Sequence, residues 1–333
     1  MDELRWGIVG PGRIARNVVS DFRHVPGSVV AAVASRSQDR AQAFADEFGV
    51  DHAHDSYRAI IDDPDVDVLY IATPHPQHLA IAVAGMQAGK AVLVEKSLTA
   101  TAAGAQQLVD TARERNVFAM EAMWTRFQPA IVAARDLISE GAIGEVRTVQ
   151  ADLGVQREFD ENDRLFSKAL AGGAMLDLGV YVVSLAQHFL GTPQTVDVTG
   201  SLASTGVDLE AALLLGYGDG RAATLTCSLR GPSPGAARII GTNGWIDVPP
   251  RFHHPTSLVL NQPGQEPRHI DAPALGAGYS HELIEVSDCM RAGKVESSVM
   301  PLEDSVAVQR VLNDACERLG VFHAEDDTID LDP

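Results

Sequence analysis

Positive charge is scarce in this chain of 333 residues, which has 26 lysines and arginines against 45 aspartates and glutamates, a formal net charge of −19. Such a surface repels the phosphates of nucleic acids and anionic membranes, so we expect neither as a partner. The content of 45% hydrophobic and 21% charged residues is typical of a folded globular protein.

Cysteine is scarce as well. Cys227, Cys289 and Cys316 are scattered along the chain, without the spacing of a disulfide framework or of a metal site. We therefore expect a reducing, cytoplasmic location and no bound metal. The opening MDELRWGIVGPG lacks the basic and apolar regions of an export signal. The chain also lacks a run of eighteen apolar residues, so no membrane span is expected.

The length is typical of two domains. In residues 1–122, short apolar runs alternate with segments of helical spacing, which predicts an α/β Rossmann domain with a parallel, doubly wound sheet. Both faces of such a sheet are buried, so its strands should read as continuous apolar runs. Five runs do so: RWGIVG, SVVAAVAS, VDVLYIAT, AVLVEK and NVFAMEA.

Strand-like runs with little helix between them dominate after residue 122. Turn pairs such as Asp219-Gly220 and Asn243-Gly244 separate them. Residues 123–333 are therefore predicted to form an α+β domain that binds substrate and carries a large, mostly antiparallel open sheet. Its outer face is expected to pair with a second copy as a homodimer. The C-terminal helix can pack back on the first domain.

A glycine-rich turn joins the first predicted strand to the first helix, at Gly10-Pro11-Gly12-Arg13-Ile14-Ala15. This is the G-x-G-x-x-G/A pattern in the strand–turn–helix context that a dinucleotide site requires. One glycine permits the tight turn and the next lets the backbone approach a pyrophosphate. We therefore assign Gly10, Gly12, Arg13 and Ile14 to the cofactor site. The alternative is a glycine turn in an unrelated α/β fold.

The end of the second strand indicates which dinucleotide binds. NAD sites usually carry an acid there, whereas this chain has Ser35 and Arg36, with Arg40 one helical turn later. A serine hydroxyl and a guanidinium can bind a 2′-phosphate, which favours NADP(H) over NAD(H). A surface arginine without a ligand, or acceptance of both cofactors, remains the alternative.

Polar residues end the next predicted strands, at the edge where ligands of open parallel sheets bind. Lys96 at the end of the fourth predicted strand can bind the reacting oxygen of a substrate. Glu95 can hold Lys96 charged and oriented, or the two can form an ordinary ion pair at a strand end. The cofactor contacts predicted at this edge are Thr73, Pro74, His78, Glu95 and Lys96.

Aromatic residues accompany the later segments. Trp124 and Arg126 follow the fifth predicted strand and can form the wall of a pocket for a ring-shaped substrate, or pack in the core. Asp177 and Tyr181 share one face of a predicted helix. A tyrosine near a lysine can exchange a proton with an alcohol or carbonyl oxygen while a nicotinamide exchanges hydride with carbon. A buried core tyrosine is the alternative.

The chain resembles the Gfo/Idh/MocA family of nicotinamide-dependent oxidoreductases. The resemblance extends over essentially the whole length, in GIVGPGRIA, IATPHPQH, AGKAVLVEK, GAIGEVRTVQADLG, AGGAMLDLGVYVVSLA and GYSHELIEVSDCMRAG. EAMWTRFQP together with Tyr181, where most members carry histidine, resembles the branch of dimeric dihydrodiol dehydrogenases and NADP-dependent D-xylose dehydrogenases. Ser97 departs from the Glu-Lys-Pro of the family and puts the geometry after Lys96, and the substrate, in question.

The resemblance implies roles for these residues. Lys96 and Tyr181 are the implied catalytic pair, with Asp177 as a carboxylate that shapes the site. The implied substrate residues are Trp124, Arg126, Phe159, Asp177 and Tyr181. The implied activity is NADP(H)-dependent oxidation or reduction of a small cyclic polyol or sugar, such as D-xylose or a trans-dihydrodiol. Reduction of an anhydrofructose-type ketosugar and cofactor binding by a sensor without turnover are the alternatives.

Overall fold

The computed structural model describes residues 3–332, which divide into two compact units. The first unit contains the residues up to 122, residues 275–306 and residues from 324 onward. The second contains residues 123–274 and 307–323.

A six-stranded sheet, all of whose neighbouring strands are parallel, forms the centre of the first unit, in the order β3-β2-β1-β4-β5-β6. The strands are β1 (Leu4–Val9), β2 (Ser28–Ala34), β3 (His52–His54), β4 (Val68–Ile71), β5 (Ala91–Glu95) and β6 (Ala119–Ala122). The helices between them are α1 (Arg13–Asp21), α2 (Gln38–Phe48), α3 (Tyr57–Asp62), α4 (His75–Gln87) and α5 (Ala102–Arg115). The predicted Rossmann architecture is confirmed.

Four of the five predicted strands, β1, β4, β5 and β6, are buried along most or all of their length, as expected for strands covered on both faces. Strand β3, an edge strand of three half-buried residues, was not predicted. Its sequence His-Ala-His has no apolar run, because an edge strand need not bury both faces.

An eight-stranded sheet forms the second unit, in the order β14-β13-β12-β11-β7-β10-β9-β8. Its strands are β7 (Val146–Gly154), β8 (Thr195–Leu202), β9 (Asp208–Gly216), β10 (Ala222–Ser228), β11 (Ala237–Gly241), β12 (Gly244–Val248), β13 (Ser257–Asn261) and β14 (Arg268–Asp271). Neighbours are antiparallel except β7 and β10, which are parallel. The prediction of a mostly antiparallel sheet is confirmed.

Helices α6 (Pro129–Ser139) and α7 (Val180–Leu190) accompany this sheet, and α7 packs on β7 and β10. The helical run Lys168–Leu190 that ends with α7 is, by length and composition alone, long and apolar enough to cross a membrane. However, 78% of its apolar window is buried inside the protein, as in the core helix of a globular domain.

Two more helices, α8 (Ser280–Arg291) and α9 (Leu302–Arg318), follow the second sheet. The predicted second domain ran without interruption from 123 to 333, but α8 and the tail group with the first unit. The reason is hydrogen bonding: Asp21 accepts bonds from the main-chain N–H groups of Ala277 and Tyr279. In the tail, Glu325 accepts bonds from Thr101.

Candidate active site

The glycine turn after β1 has room for a phosphate group. Gly10 has φ of 91°, and a side chain there would meet the carbonyl oxygen of Ala72 at 3.0 Å. Around Gly12, by contrast, a Cβ atom would meet nothing within 4 Å. Helix α1 begins at the next residue and its N-terminus has no side-chain cap. The open space and the first helical N–H groups together fit a pyrophosphate.

Arg13 and Ile14 form the first turn of α1, where Arg13 is exposed and Ile14 is half-buried. The turn therefore offers a cation next to the space at Gly12. Both residues lie where the sequence analysis placed them, at the helix end that follows the glycines.

Ser35, Arg36 and Arg40 lie beyond the end of β2. Ser35 is buried and accepts a hydrogen bond from the N–H of Ser37, while both arginines are exposed. Burial raises the pKa of Tyr57, and the nearby guanidinium groups of Arg36 and Arg40 oppose that increase. Both guanidinium groups therefore lie near the phenol of Tyr57.

The loops after β4 and β5 are tied together by His78. Its side chain is fully buried, with Nε2 2.8 Å from the carbonyl oxygen of Thr73 and Nδ1 3.1 Å from that of Ser97. Pro74 precedes α4 and leaves the loop in an extended conformation. His78 therefore positions both loops at the sheet edge.

Glu95 is the last residue of β5, and Lys96 is the first residue of the loop that follows. Glu95 is buried and accepts a hydrogen bond of 2.5 Å from the hydroxyl of Tyr70. Glu282 of α8 is also buried, and burial followed by the charge of Glu95 raises its pKa well above the ordinary value. Glu95 therefore belongs to a buried group of polar side chains that includes Tyr70 and Glu282.

Lys96 is half-buried and leads into a loop held from β6. Glu121, at 1% exposure, accepts a hydrogen bond of 3.0 Å from the N–H of Leu98. The loop after the lysine is therefore anchored by a carboxylate from the neighbouring strand. This contact was not predicted, since Glu121 lies in the middle of an apolar strand.

In the second unit, Trp124 and Arg126 belong to a short 3₁₀ helix, Trp124–Phe127, and both are more than nine-tenths buried. The hydroxyl of Thr125 donates a hydrogen bond of 2.7 Å to the carbonyl oxygen of His253. This bond joins the 3₁₀ helix to the segment between β12 and β13.

Two histidines of that segment surround the predicted site residues. The ring centroids of His253 and Tyr181 are 5.1 Å apart, and those of His254 and Trp124 are 5.0 Å apart. The sequence analysis missed both histidines, because the segment RFHH shows no spacing that links it to Tyr181. We refer to Trp124, Tyr181, His253 and His254 as the aromatic wall.

Asp177 and Tyr181 lie one helical turn apart, as predicted, where a π-helical turn, Met175–Gly179, leads into α7. Asp177 accepts a hydrogen bond of 2.9 Å from Arg164. Phe159 lies in the loop after β7, is 52% exposed and packs on Phe166 with centroids 5.2 Å apart.

The structure thus brings the predicted residues together in two groups. The first unit holds the two glycines of the turn, Thr73, Lys96 and the arginines Arg13, Arg36 and Arg40. The second unit holds Trp124, Arg126 and Tyr181. The meeting of Lys96 and Tyr181 at one nicotinamide stays a prediction.

Comparison with known proteins agrees with this arrangement. A family model described as "Oxidoreductase family, NAD-binding Rossmann fold" matches residues 4–123, and the "GFO/IDH/MocA C-terminal domain" matches residues 131–247. Trans-1,2-dihydrobenzene-1,2-diol dehydrogenase from Mus musculus is 36% identical, over 97% of this chain and 99% of its own. The enzyme of the same name from Xenopus tropicalis is 37% identical, over 96% and 99%.

Solved structures show the same fold. An aldose-aldose oxidoreductase from Caulobacter crescentus, in complex with glycerol, is 25% identical, with a TM-score of 0.86 over 95% of this chain and 97% of its own. A 3-ketoreductase from Actinomadura kijaniata, in complex with NADP and TDP-benzene, is 26% identical, with a TM-score of 0.82 over 95% and 98%.

Proposed function

Because the chain belongs to the Gfo/Idh/MocA family of oxidoreductases, we propose that it transfers hydride between NADP(H) and a small ring bearing neighbouring hydroxyl groups. It is an oxidoreductase acting on CH–OH donors. We propose a trans-dihydrodiol or a pyranose such as D-xylose as the substrate. The observation that carries it is the aromatic wall, which places Tyr181 next to ring-shaped side chains that can pack on a flat or cyclic substrate.

The protein's part in the reaction is binding, orientation and proton handling. A bound nicotinamide supplies or accepts the hydride. As the alcohol is oxidised, Tyr181 in its phenolate form would accept the proton of the substrate hydroxyl and become the neutral phenol. The ammonium group of Lys96 would stabilise the negative charge of the phenolate before that transfer. Glu121 supports this by fixing the loop after Lys96.

NADP(H) is proposed over NAD(H). Support comes from the two exposed guanidinium groups of Arg36 and Arg40 at the end of β2, where an acid would otherwise select the ribose of NAD. The 3-ketoreductase from Actinomadura kijaniata was solved with NADP.

The experiment is a panel assay. Purified protein is mixed with NADP⁺ or NAD⁺ and with trans-1,2-dihydrobenzene-1,2-diol, D-xylose and acyclic alcohols, and nicotinamide reduction is followed by absorbance. We expect turnover of the cyclic substrates and a loss of about 10²- to 10⁴-fold in kcat for Tyr181→Phe. Tyr217→Phe, a buried tyrosine elsewhere in the second unit, is the matched control. Equal turnover by Tyr181→Phe and the control would contradict the proposed role of Tyr181.

We further propose that the protein is a cytoplasmic homodimer. The outer face of the eight-stranded sheet carries polar side chains such as Gln150 and Thr224. Leu214 and Trp245 on the same face are nevertheless 48% and 37% exposed. Cys227, Cys289 and Cys316 are unpaired, as in a reducing compartment.

Light scattering tests the dimer at micromolar protein. Leu214→Asp should yield a monomer, because a charge in the buried centre of an interface is costly. The matched control is Leu275→Asp, at a residue of the first unit with 45% exposure, which should stay dimeric. A monomeric wild-type protein would contradict the proposal.

A further inference from the structure

Three potential metal ligands of different types meet in the interior of the second unit. They are Asp208 at the start of β9, Cys316 in the last turn of α9 and His323 in the segment after α9. One ligand atom of each residue lies within 4.8 Å of the other two. Asp208 and Cys316 are 0% and 1% exposed, and both ring nitrogens of His323 are buried.

Several of these polar atoms have no hydrogen-bond partner. Oδ1 of Asp208 and both nitrogens of His323 are buried without one. An unsatisfied buried polar group costs about 1–3 kcal/mol, so a cluster of them indicates something that the protein binds. A cation is the ligand that satisfies a carboxylate, an imidazole and a thiol at once.

The neighbouring backbone holds the carboxylate in place. Oδ2 of Asp208 accepts a hydrogen bond of 2.6 Å from the N–H of Met175. Gly173 leaves space for the other oxygen, since a Cβ atom there would meet Oδ1. Asp208 therefore has one oxygen bound to the protein and a second available to a ligand, an arrangement that orients a metal-binding carboxylate.

We propose that Asp208, Cys316 and His323 bind a zinc ion that stabilises the second unit. Sulfur, nitrogen and oxygen ligands in one set suit Zn²⁺ and not Mg²⁺ or Ca²⁺, which take oxygen. Zinc bonds of about 2.0–2.3 Å require the ligand atoms to approach one another to about 3.3–3.8 Å. Cys316 binds as the thiolate and its proton passes to solvent. Water or the nearby Cys227 completes the tetrahedron.

No metal is expected from the spacing of the cysteines, and Asp208 is more than a hundred residues from the other two ligands. The site would join β9, α9 and the chain after α9. It would also hold the turn at Met175 that leads to Tyr181. Its expected role is therefore structural, independent of which substrate the enzyme uses.

A second cluster serves as an internal comparison. His52, His54 and Asp63 in the first unit also lie within 4.8 Å of one another. There both imidazoles already contact one carboxylate oxygen of Asp63, at 2.7 and 2.8 Å. Since these groups satisfy one another, we expect no metal at that cluster.

The test uses the full chain, stripped with a chelator and titrated with Zn²⁺ against a competing dye, and with Co²⁺ by absorbance. We expect about one Zn²⁺ per chain, a higher Tm with zinc and a thiolate-to-cobalt band. Asp208→Asn and His323→Gln should each weaken zinc binding by about 10- to 100-fold or more. Loss of an outer-shell partner alone costs about that much, and these residues are proposed as direct ligands. Cys316→Ser should lose the cobalt band.

Cys289→Ser, at another buried free cysteine, and His52→Gln should bind zinc like the wild type. Should Cys316→Ser fail to fold, as judged by circular dichroism, His323→Gln decides, because its residue lies outside the helices and strands. Absence of stoichiometric binding, or binding that His323→Gln keeps and His52→Gln loses, would overturn the proposal.

Discussion

The phenol ring of Tyr181 lies against the imidazole of His253, with ring centroids 5.1 Å apart and planes inclined by 43°. The main chain of His253 is held in turn by the hydroxyl of Thr125, next to Trp124. The orientation of the proposed proton donor thus depends on a loop between two strands of the second sheet.

His253→Ala removes the ring that restrains Tyr181, and the hydrogen bond to its carbonyl oxygen is unaffected. Aromatic contacts of this kind are worth about 0.5–1.5 kcal/mol, so we expect kcat to fall by about 2- to 10-fold. The KM for the cofactor should stay unchanged. Steady-state kinetics measures both, and His253→Phe, which keeps a ring, should recover most of kcat. Equal loss in the two variants would contradict a packing role.

Arg36→Ala tests cofactor selection. Loss of a charge-assisted hydrogen bond of about 1.5–3 kcal/mol should weaken NADP⁺ binding by about 10- to 150-fold while NAD⁺ binding changes little. Fluorescence titration measures both affinities. Arg113→Ala is the control, since that exposed arginine pairs with Glu303 on another surface. A preference for NAD⁺ that survives Arg36→Ala would refute the assignment.

Gly12→Val tests the phosphate site without disturbing the fold. The residue has an extended backbone that any amino acid adopts, and open space around its Cα atom. The valine side chain should occupy the space proposed for the pyrophosphate and weaken cofactor binding by about 100-fold or more, with Tm unchanged. Gly231→Val, at another glycine with open space, should bind cofactor normally. Normal binding by Gly12→Val would contradict the proposed site.

Asp63 should make the first unit sensitive to acid. Burial would raise the pKa of Asp63, but hydrogen bonds from His52, the main chain of Asp65 and His54 outweigh it and lower that pKa from 3.8 to about 2. Because the pKa of Asp63 is lower in the folded state than in the unfolded chain, its carboxylate stabilises the fold at pH values above the unfolded pKa. This stabilisation is lost as pH falls from about 4 to about 2. The full effect is about 2 kcal/mol.

The partner of Asp63 titrates in the opposite sense. The hydrogen bond that His52 donates to Asp63 raises the pKa of His52 above 6.5 against the effect of burial. The contribution of His52 to stability is therefore present below pH 6.5 and lost above its folded pKa. Asp63→Asn should therefore lower the free energy of unfolding most between about pH 4 and about pH 6.5, as measured by urea unfolding. Asp62→Asn, at the exposed neighbour, is the control. A cost that is constant across pH would refute the pairing.

Glu282 should oppose folding as pH rises. Burial, followed by the charge of Glu95, raises its pKa well above 4.5, so the native state keeps a proton that the unfolded chain loses. As pH rises above about 4.5, the free energy of unfolding therefore falls by at most about 1.4 kcal/mol per pH unit. Glu282→Gln cannot ionise and should gain stability relative to the wild type as pH rises above about 4.5. Thermal melting measures the gain, with exposed Glu114→Gln as the control.

Much of the architecture could be predicted because its signals are local. Strands covered on both faces must be apolar along their length, so β1, β4, β5 and β6 are evident from composition alone. The glycine turn is equally local, since Gly10, Gly12 and the first turn of α1 are consecutive and each has its own steric reason. Edge strand β3 was missed because nothing requires three half-buried residues to be apolar.

Contacts between distant segments could not be predicted. His253 lies 72 residues beyond Tyr181, and Asp208 lies 108 residues before Cys316. No periodicity relates such positions, because side-chain spacing reports only which face of its own helix or strand a residue occupies. Local order along the chain therefore specified the helices, the parallel sheet and the phosphate turn. Long-range packing alone determined which side chains surround Tyr181, which acids share the interior with Glu95, and where a thiol, an imidazole and a carboxylate meet.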